Sequence, residues 1–135
     1  MKTYLDSGVL VHGWRSKTLS GAALSIMAGA TREFYSSQMV RLEVLPKARY
    51  ERQTREIEFY EAHFADVVAS EPLSAELGKE AEALAARYGL AGPDALQLAA
   101  AIRQGCAEFY TSEKPGRPMF RVKEIKVVSL HQLHS

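Results

Sequence analysis

Five short runs rich in apolar, β-branched and aromatic residues alternate with stretches carrying helical periodicity and helix-end signals, and this alternation limits what the chain can become. Lys2-Thr3-Tyr4-Leu5-Asp6 predicts a short buried strand closed by Asp6, followed by a loop through Gly8, Gly13 and Trp14. A helix is expected from Leu19 or Ser20 to about Ala30, and Glu33-Phe34-Tyr35-Ser36 reads as a second strand. Ser36 or Ser37 is a suitable N-cap for a helix from Gln38 to about Tyr50, which Pro46 should kink or loosen. A further helix runs from Arg52 to Phe64 with Ile57, Tyr60 and Phe64 on one stripe. Asp66-Val67-Val68-Ala69 reads as a strand, and the helix from Ser74 to Tyr88 stops at Gly89. Gly92-Pro93 opens a helix ending near Gly105, and strands follow at 109–112 and 125–130. Strands alternating with helices predict an α/β fold with a mainly parallel sheet. No repeat, low-complexity tract or linker divides it, so a single domain over residues 1–135 is expected.

A chain of 135 residues can bury one real core, and 47% apolar with 24% charged residues is ordinary globular composition. The formal net charge of +1 means that any nucleic-acid contact must come from a local patch. The single cysteine, Cys106, excludes an intramolecular disulfide and a cysteine zinc site, and suits a reducing compartment. The apolar run from Val9 to Val11 is too brief for a secretory signal, and no stretch is long enough to span a bilayer. A cytoplasmic protein with no membrane association is the expectation.

Four carboxylates fall at element ends or on apolar helix faces: Asp6, Glu43, Asp94 and Glu113. In open α/β sheets ligands sit beyond the carboxyl ends of the strands, where strand order reverses. Asp6 and Glu113 each end a predicted strand. Asp94 lies in the first turn of a helix whose N-terminus would point to the same edge. Glu43 has Met39, Val40, Pro46 and Tyr50 on its helical face, where burying a carboxylate would be costly without a cation or hydrogen bonds. Each residue alone has an ordinary explanation: a turn for Asp6, the helix dipole for Asp94, an ion pair with Lys47 for Glu43, a charged loop for Glu113. Together they suit a hard divalent cation, which takes oxygen ligands.

Three stretches carry a family resemblance: Tyr4-Leu5-Asp6-Ser7-Gly8-Val9-Leu10, the region Ser37 to Ala48 around Glu43, and Gly89-Leu90-Ala91-Gly92-Pro93-Asp94-Ala95-Leu96-Gln97-Leu98-Ala99. In their order and spacing the chain resembles the PIN-domain proteins, of the kind found as VapC-type toxins of bacterial toxin–antitoxin pairs. The resemblance implies a PIN-like three-layer α/β/α sandwich. It further implies a magnesium- or manganese-dependent endoribonuclease acting on single-stranded RNA. Asp6, Glu43 and Asp94 match the family's three core acidic positions, and Thr111 or Ser112 falls near a hydroxyl that helps order the site. The fourth acidic position is usually aspartate. Here the match is Glu113, whose extra methylene moves the carboxylate outward, so that it acts through water or leaves a weaker site. A protein antitoxin occluding the crevice and a homodimer are the partners so implied, with Tyr50, Phe59, Tyr60 and Phe64 available to interfaces or to the core.

A basic rim is expected from Lys114, Arg117, Arg121, Lys123 and Lys126, set against the single acid Glu124. Arg15 and Lys17, with Trp14 as a stacking platform, are further candidates for RNA contact. His12, His63, His131 and His134 show no paired spacing, and no histidine is needed as a general base. The alternative to a nuclease is a PIN-fold module, catalytically weak or inactive, that binds RNA or a protein partner. A phosphatase of the haloacid-dehalogenase type would need a second aspartate where Gly8 stands.

Overall fold

Thr3, Tyr4 and Leu5 are all buried, which a strand achieves only with neighbours on both edges and cover on both faces. The computed structural model, which describes residues 1–133, meets that demand by placing β1 (Lys2–Leu5) in the middle of a five-stranded parallel sheet. The other strands are β2 (Glu33–Ser37), β3 (Ala69–Glu71), β4 (Glu108–Thr111) and β5 (Lys126–Ser129), in the order β3-β2-β1-β4-β5. Register runs Tyr4 to Tyr35 on one side and Leu5 to Tyr110 on the other. The helices are α1 (Ser7–Arg15), α2 (Ser20–Met27), α3 (Gln38–Tyr50), α4 (Thr54–Asp66), α5 (Ala75–Tyr88), α6 (Gly92–Arg103) and α7 (Leu130–Leu133), with a 3-10 turn at Pro118–Arg121.

From β1 to β3 the chain steps outward in one direction, and then it returns across the sheet to β4. Right-handed crossovers therefore put α1 to α4 on one face and α5 with α6 on the other. This is the expected PIN-like α/β/α sandwich. Tyr4 stacks on Phe109 with ring centroids 5.2 Å apart at the sheet centre. Removing a fully buried side chain such as Leu98 should cost about 2–5 kcal/mol.

Two expectations fail locally. The loop expected after Asp6 is helix α1. Asp6 Oδ1 accepts the Val9 N–H at 3.0 Å as its N-cap, and Val9, Leu10 and Gly13 make its buried stripe. Gly13 is not a turn residue: a Cβ there would lie 3.3 Å from Phe59 and 3.4 Å from the Met27 sulfur, so glycine serves close helix packing. The strand expected at 66–69 is displaced. α4 runs through Asp66, and β3 begins only at Ala69, as a short and mostly exposed edge. A Val-Val pair in sequence does not say which residue first meets the sheet. α3 also continues through Pro46 without a break; Leu42 and Pro46 both face solvent there, where water can take the Leu42 carbonyl.

Candidate metal centre

β1 and β4 are the neighbours between which the strand order reverses, so the crevice lies at their carboxyl ends. Asp6 follows β1 directly, and its backbone N–H donates to the Tyr110 carbonyl at 3.0 Å. Its side chain is buried, and burial pushes its carboxyl up to about 7, against the opposing hydrogen bonds from the Thr111 hydroxyl and the Val9 N–H. The negative charges of Asp94 and Glu113 push it the same way as burial. Capping α1 uses only part of the carboxylate's acceptor capacity and leaves lone pairs for another ligand.

Asp94 sits in the first turn of α6, after Pro93. Burial raises its carboxyl above the ordinary range, with further contributions from Glu113 and Glu43. Glu113 thus acts on both Asp6 and Asp94, and Glu43 acts on Asp94. The ion pair that reaches the cluster is Arg117 Nε, 3.7 Å from Glu113 Oε2, with both side chains well exposed. Asp94, Glu113 and Arg117 line one cleft of about 250 Å³ together with Gly89, Leu90 and Met119.

Glu43 departs from expectation in its surroundings. It is exposed, not buried on an apolar face, because α3 turns that side toward solvent next to the start of α1. Its carboxylate is held in place by neighbours from two other helices. Ser7 Oγ donates to Oε1 at 2.9 Å, and Gln97 Nε2 donates to the same oxygen at 2.5 Å. Gln97 also donates to Ser7 Oγ and accepts the Ser7 N–H, each at 3.2 Å. This Ser7–Gln97–Glu43 triangle was missed from sequence. The available signal was a buried glutamine, three residues after Asp94, inside the otherwise apolar run Ala95 to Ala101.

The hydroxyl residues occupy the other side. Thr111 is fully buried, lies near enough to Asp6 to oppose the upward push on its carboxyl, and accepts the Glu113 N–H at 3.1 Å on Oγ1. Ser112 packs over Gly8: a Cβ at Gly8 would lie 2.2 Å from Ser112 Oγ and 3.3 Å from Asp6 Oδ1. Gly8 therefore packs within the site, where sequence reasoning read it as a loop residue.

The basic candidates separate into two groups. Lys114, Arg117 and Arg121 are exposed on the segment that follows the cluster. Arg15 ends α1, at the pole opposite Asp6, and is paired to Glu56 at 2.8 Å, with Lys17 just beyond it. Lys126 begins β5 beside Glu108, at the amino edge of the sheet. Trp14 packs against Phe59, 5.5 Å between ring centroids. Of the proposed interface aromatics, Tyr60 is core, donating to Glu56 at 2.6 Å; Phe59 and Phe64 are half-buried, and Tyr50 alone is fully outside, 89% exposed. His63 is buried between Phe34 and Phe64, which drives its pKa down to about 4. His134 lies outside the described residues. Cys106 is buried, its thiol pushed up to about 12.

Among the described residues, no three His, Cys, Asp or Glu side chains stand close enough together to enclose an ion. The donor chemistry nevertheless fits one class. Magnesium keeps several waters and is held through one or two carboxylates plus substrate phosphate, so an open arrangement of hard oxygens suits it better than a cage. A cation here would also offset the burial and the neighbouring negative charge that raise Asp6 and Asp94.

Known proteins bear on the same region. A family profile for the PIN domain matches residues 3–114. No curated protein matches the chain. Among solved structures, a toxin–antitoxin complex from Klebsiella pneumoniae is similar with a TM-score of 0.69 at 17% identity, over 95% of this chain and 97% of that one. The VapBC2 complex from Rickettsia felis, bound to a DNA fragment from their promoter, is similar with a TM-score of 0.71 at 13% identity, over 96% and 98%. At such identities the two structures speak for the fold. The profile, spanning most of the chain and both ends of the carboxylate cluster, settles the family: this chain belongs to the PIN-domain family, whose members are generally nucleases.

Proposed function

We propose that this protein is a magnesium- or manganese-dependent endoribonuclease that hydrolyses single-stranded RNA, and that it acts in the cytoplasm as the toxin of a toxin–antitoxin pair. The observation that carries the reading is the β1–β4 crevice, where burial, and after it the negative charge of neighbouring carboxylates, raises the carboxyls of Asp6 and Asp94. Among the described residues, the ion pair that reaches the group is Arg117 on the exposed Glu113. Leaving a buried carboxylate so poorly compensated costs stability, and active sites are where such arrangements concentrate.

Asp6 and Asp94 would hold the cation, Glu43 would bind directly or through water, and Glu113 would act as an outer or second-cation ligand. When bound, a divalent cation lowers the pKa of water and offsets charge developing on phosphate oxygens. The Val9 N–H holds Asp6 Oδ1, and Thr111 would help to order the site beside it. Ser7 and Gln97 hold one Glu43 oxygen, leaving its other oxygen to direct a water toward the phosphate. Lys114, Arg117 and Arg121 would hold the RNA backbone beside the cleft, contributing salt-dependent affinity without reading sequence. An antitoxin protein and a second copy of the chain are the proposed protein partners; the two structural relatives described as toxin–antitoxin complexes support the first.

The test is cleavage of a mixed single-stranded RNA with manganese or magnesium, beside EDTA and Asp94→Asn controls. Cleavage lost with both chelator and substitution is the expected result. A folded, antitoxin-free preparation that never cleaves would instead favour a binding module, the reading that the exposed, arginine-paired Glu113 supports.

A further inference from the structure

The proposed chemistry leaves unused the segment that follows β5, yet that segment grips the backbone of the site. Ser129 is fully buried as the last ladder residue of β5, opposite Thr111. Its Oγ donates to the Glu113 carbonyl at 2.5 Å and accepts the His131 backbone N–H at 3.1 Å. The Ser129 N–H is in turn taken by Gln132 Oε1 at 2.9 Å. His131 Nε2 lies 3.1 Å from the Ser112 carbonyl. A carbonyl only accepts, so this nitrogen bears a proton; the neutral Nε2–H tautomer and the imidazolium both donate.

Two successive carbonyls are therefore tied down just where β4 has ended and the sheet ladder no longer holds them. From the other side, the Glu113 N–H is held by Thr111 Oγ1. Ser112 and Glu113 are the residues that present a hydroxyl over Gly8 and the fourth carboxylate toward Asp6 and Asp94. A glutamate has one more rotatable bond than the aspartate usual at that position, so its reach depends more strongly on a fixed backbone.

We infer that Ser129 and His131 form a clamp on the 112–113 backbone that presets Glu113 and Ser112 for the cation site. They are positioning residues, touching neither cation nor substrate. The inference rests on the nuclease reading for its consequence and on the four hydrogen bonds for its geometry.

The experiment uses the full chain with S129A, H131A and the conservative S129T and H131Q, and reads three quantities. These are amide hydrogen exchange at 112–113, manganese binding by calorimetry without RNA, and kcat against KM on single-stranded RNA. Exchange at the Glu113 amide should accelerate in both alanine variants. Manganese affinity should weaken about tenfold, at the lower end for partners that orient ligands. kcat should fall by a similar factor with KM little changed, and S129T and H131Q should restore most of each. Unchanged exchange and unchanged manganese affinity in S129A and H131A overturn the clamp. Ser129 is buried, so H131A at its half-buried position decides the matter should S129A fail to fold. A parent protein that neither binds manganese nor cleaves overturns the nuclease reading instead, and exchange alone then decides whether the clamp orders the turn.

Discussion

The two ends of the sheet treat buried carboxylates in opposite ways. At the amino edge, Glu108 is buried but satisfied: Thr3 Oγ1 donates at 2.6 Å and Arg32 Nε at 2.9 Å, holding its carboxyl below the ordinary range despite burial. Glu56, under the α1 C-terminus, is likewise lowered by Tyr60 and Arg15 against its burial. At the carboxyl edge, the Asp6 carboxyl is enclosed more deeply, and burial pushes it up to about 7. The same functional group is paired from within the chain at one edge, and at the other it has no cationic partner among the described residues, which is what the proposed cation would supply.

The sharpest way to break this contrast is a pair of isosteric substitutions. Asp6→Asn should abolish cleavage, by more than the about 10–100-fold that losing a ligand-orienting partner costs, while raising the melting temperature of the metal-free protein at neutral pH. Glu108→Gln should do the reverse, leaving the site chemistry intact but destabilising the fold by about 2 kcal/mol. That is below the about 3–5 kcal/mol of a fully buried broken pair, because Arg32 is 25% exposed. Equal destabilisation of both variants in thermal melts would erase the distinction.

A pH series sharpens it further. Asp6 has a folded pKa of about 7 against an ordinary 3.8, so the folded state binds more protons between those values. The sign follows: this carboxyl's contribution is favourable at low pH and is lost as pH rises from about 4 to about 7. In denaturant unfolding, the stability advantage of Asp6→Asn over the metal-free parent should grow across that window and level off above it. His63, with a pKa of about 4 against 6.5, contributes in the opposite sense, its stability lost as pH falls through that range; comparing variant with parent cancels it. Saturating manganese at pH 7.5 should abolish the Asp6→Asn advantage.

Smaller effects test the details. Gly8→Ala should cost about 1–3 kcal/mol of stability, measured by urea unfolding, through its collision with Ser112. Arg117→Ala should weaken RNA binding and reduce the salt slope of log K by about one. Lys17→Ala, at the opposite pole, should leave both unchanged in a fluorescence-anisotropy titration across salt concentrations.

The parallel α/β order was legible where helices carry their own end signals: Ser74 caps α5, Gly89 closes it at φ +70°, and Pro93 opens α6. α1 was not legible because its two glycines mimic a loop. Both are there for close approach, Gly13 beneath Phe59 and Gly8 beneath Ser112, and only the folded neighbours reveal that. The positions of the acids at strand ends were readable for the same reason that β1 was: a carboxylate closing an apolar run. The surroundings of Glu43 were not, since its two partners come from residues 36 and 54 positions away. Arg15 and Lys17 were misplaced because the segment before them, taken as a loop, is a rigid helix that carries them to the far pole.

The central place of β1 has a consequence in time. β1 finds one neighbour about thirty residues later and the other more than a hundred residues later, as the Thr3–Glu108 bond spanning 105 positions shows. Non-local parallel pairing of this kind forms slowly. Asp6 and Glu113 share a crevice only after β4 has docked, so a growing chain cannot assemble the acidic cluster until β4 has emerged.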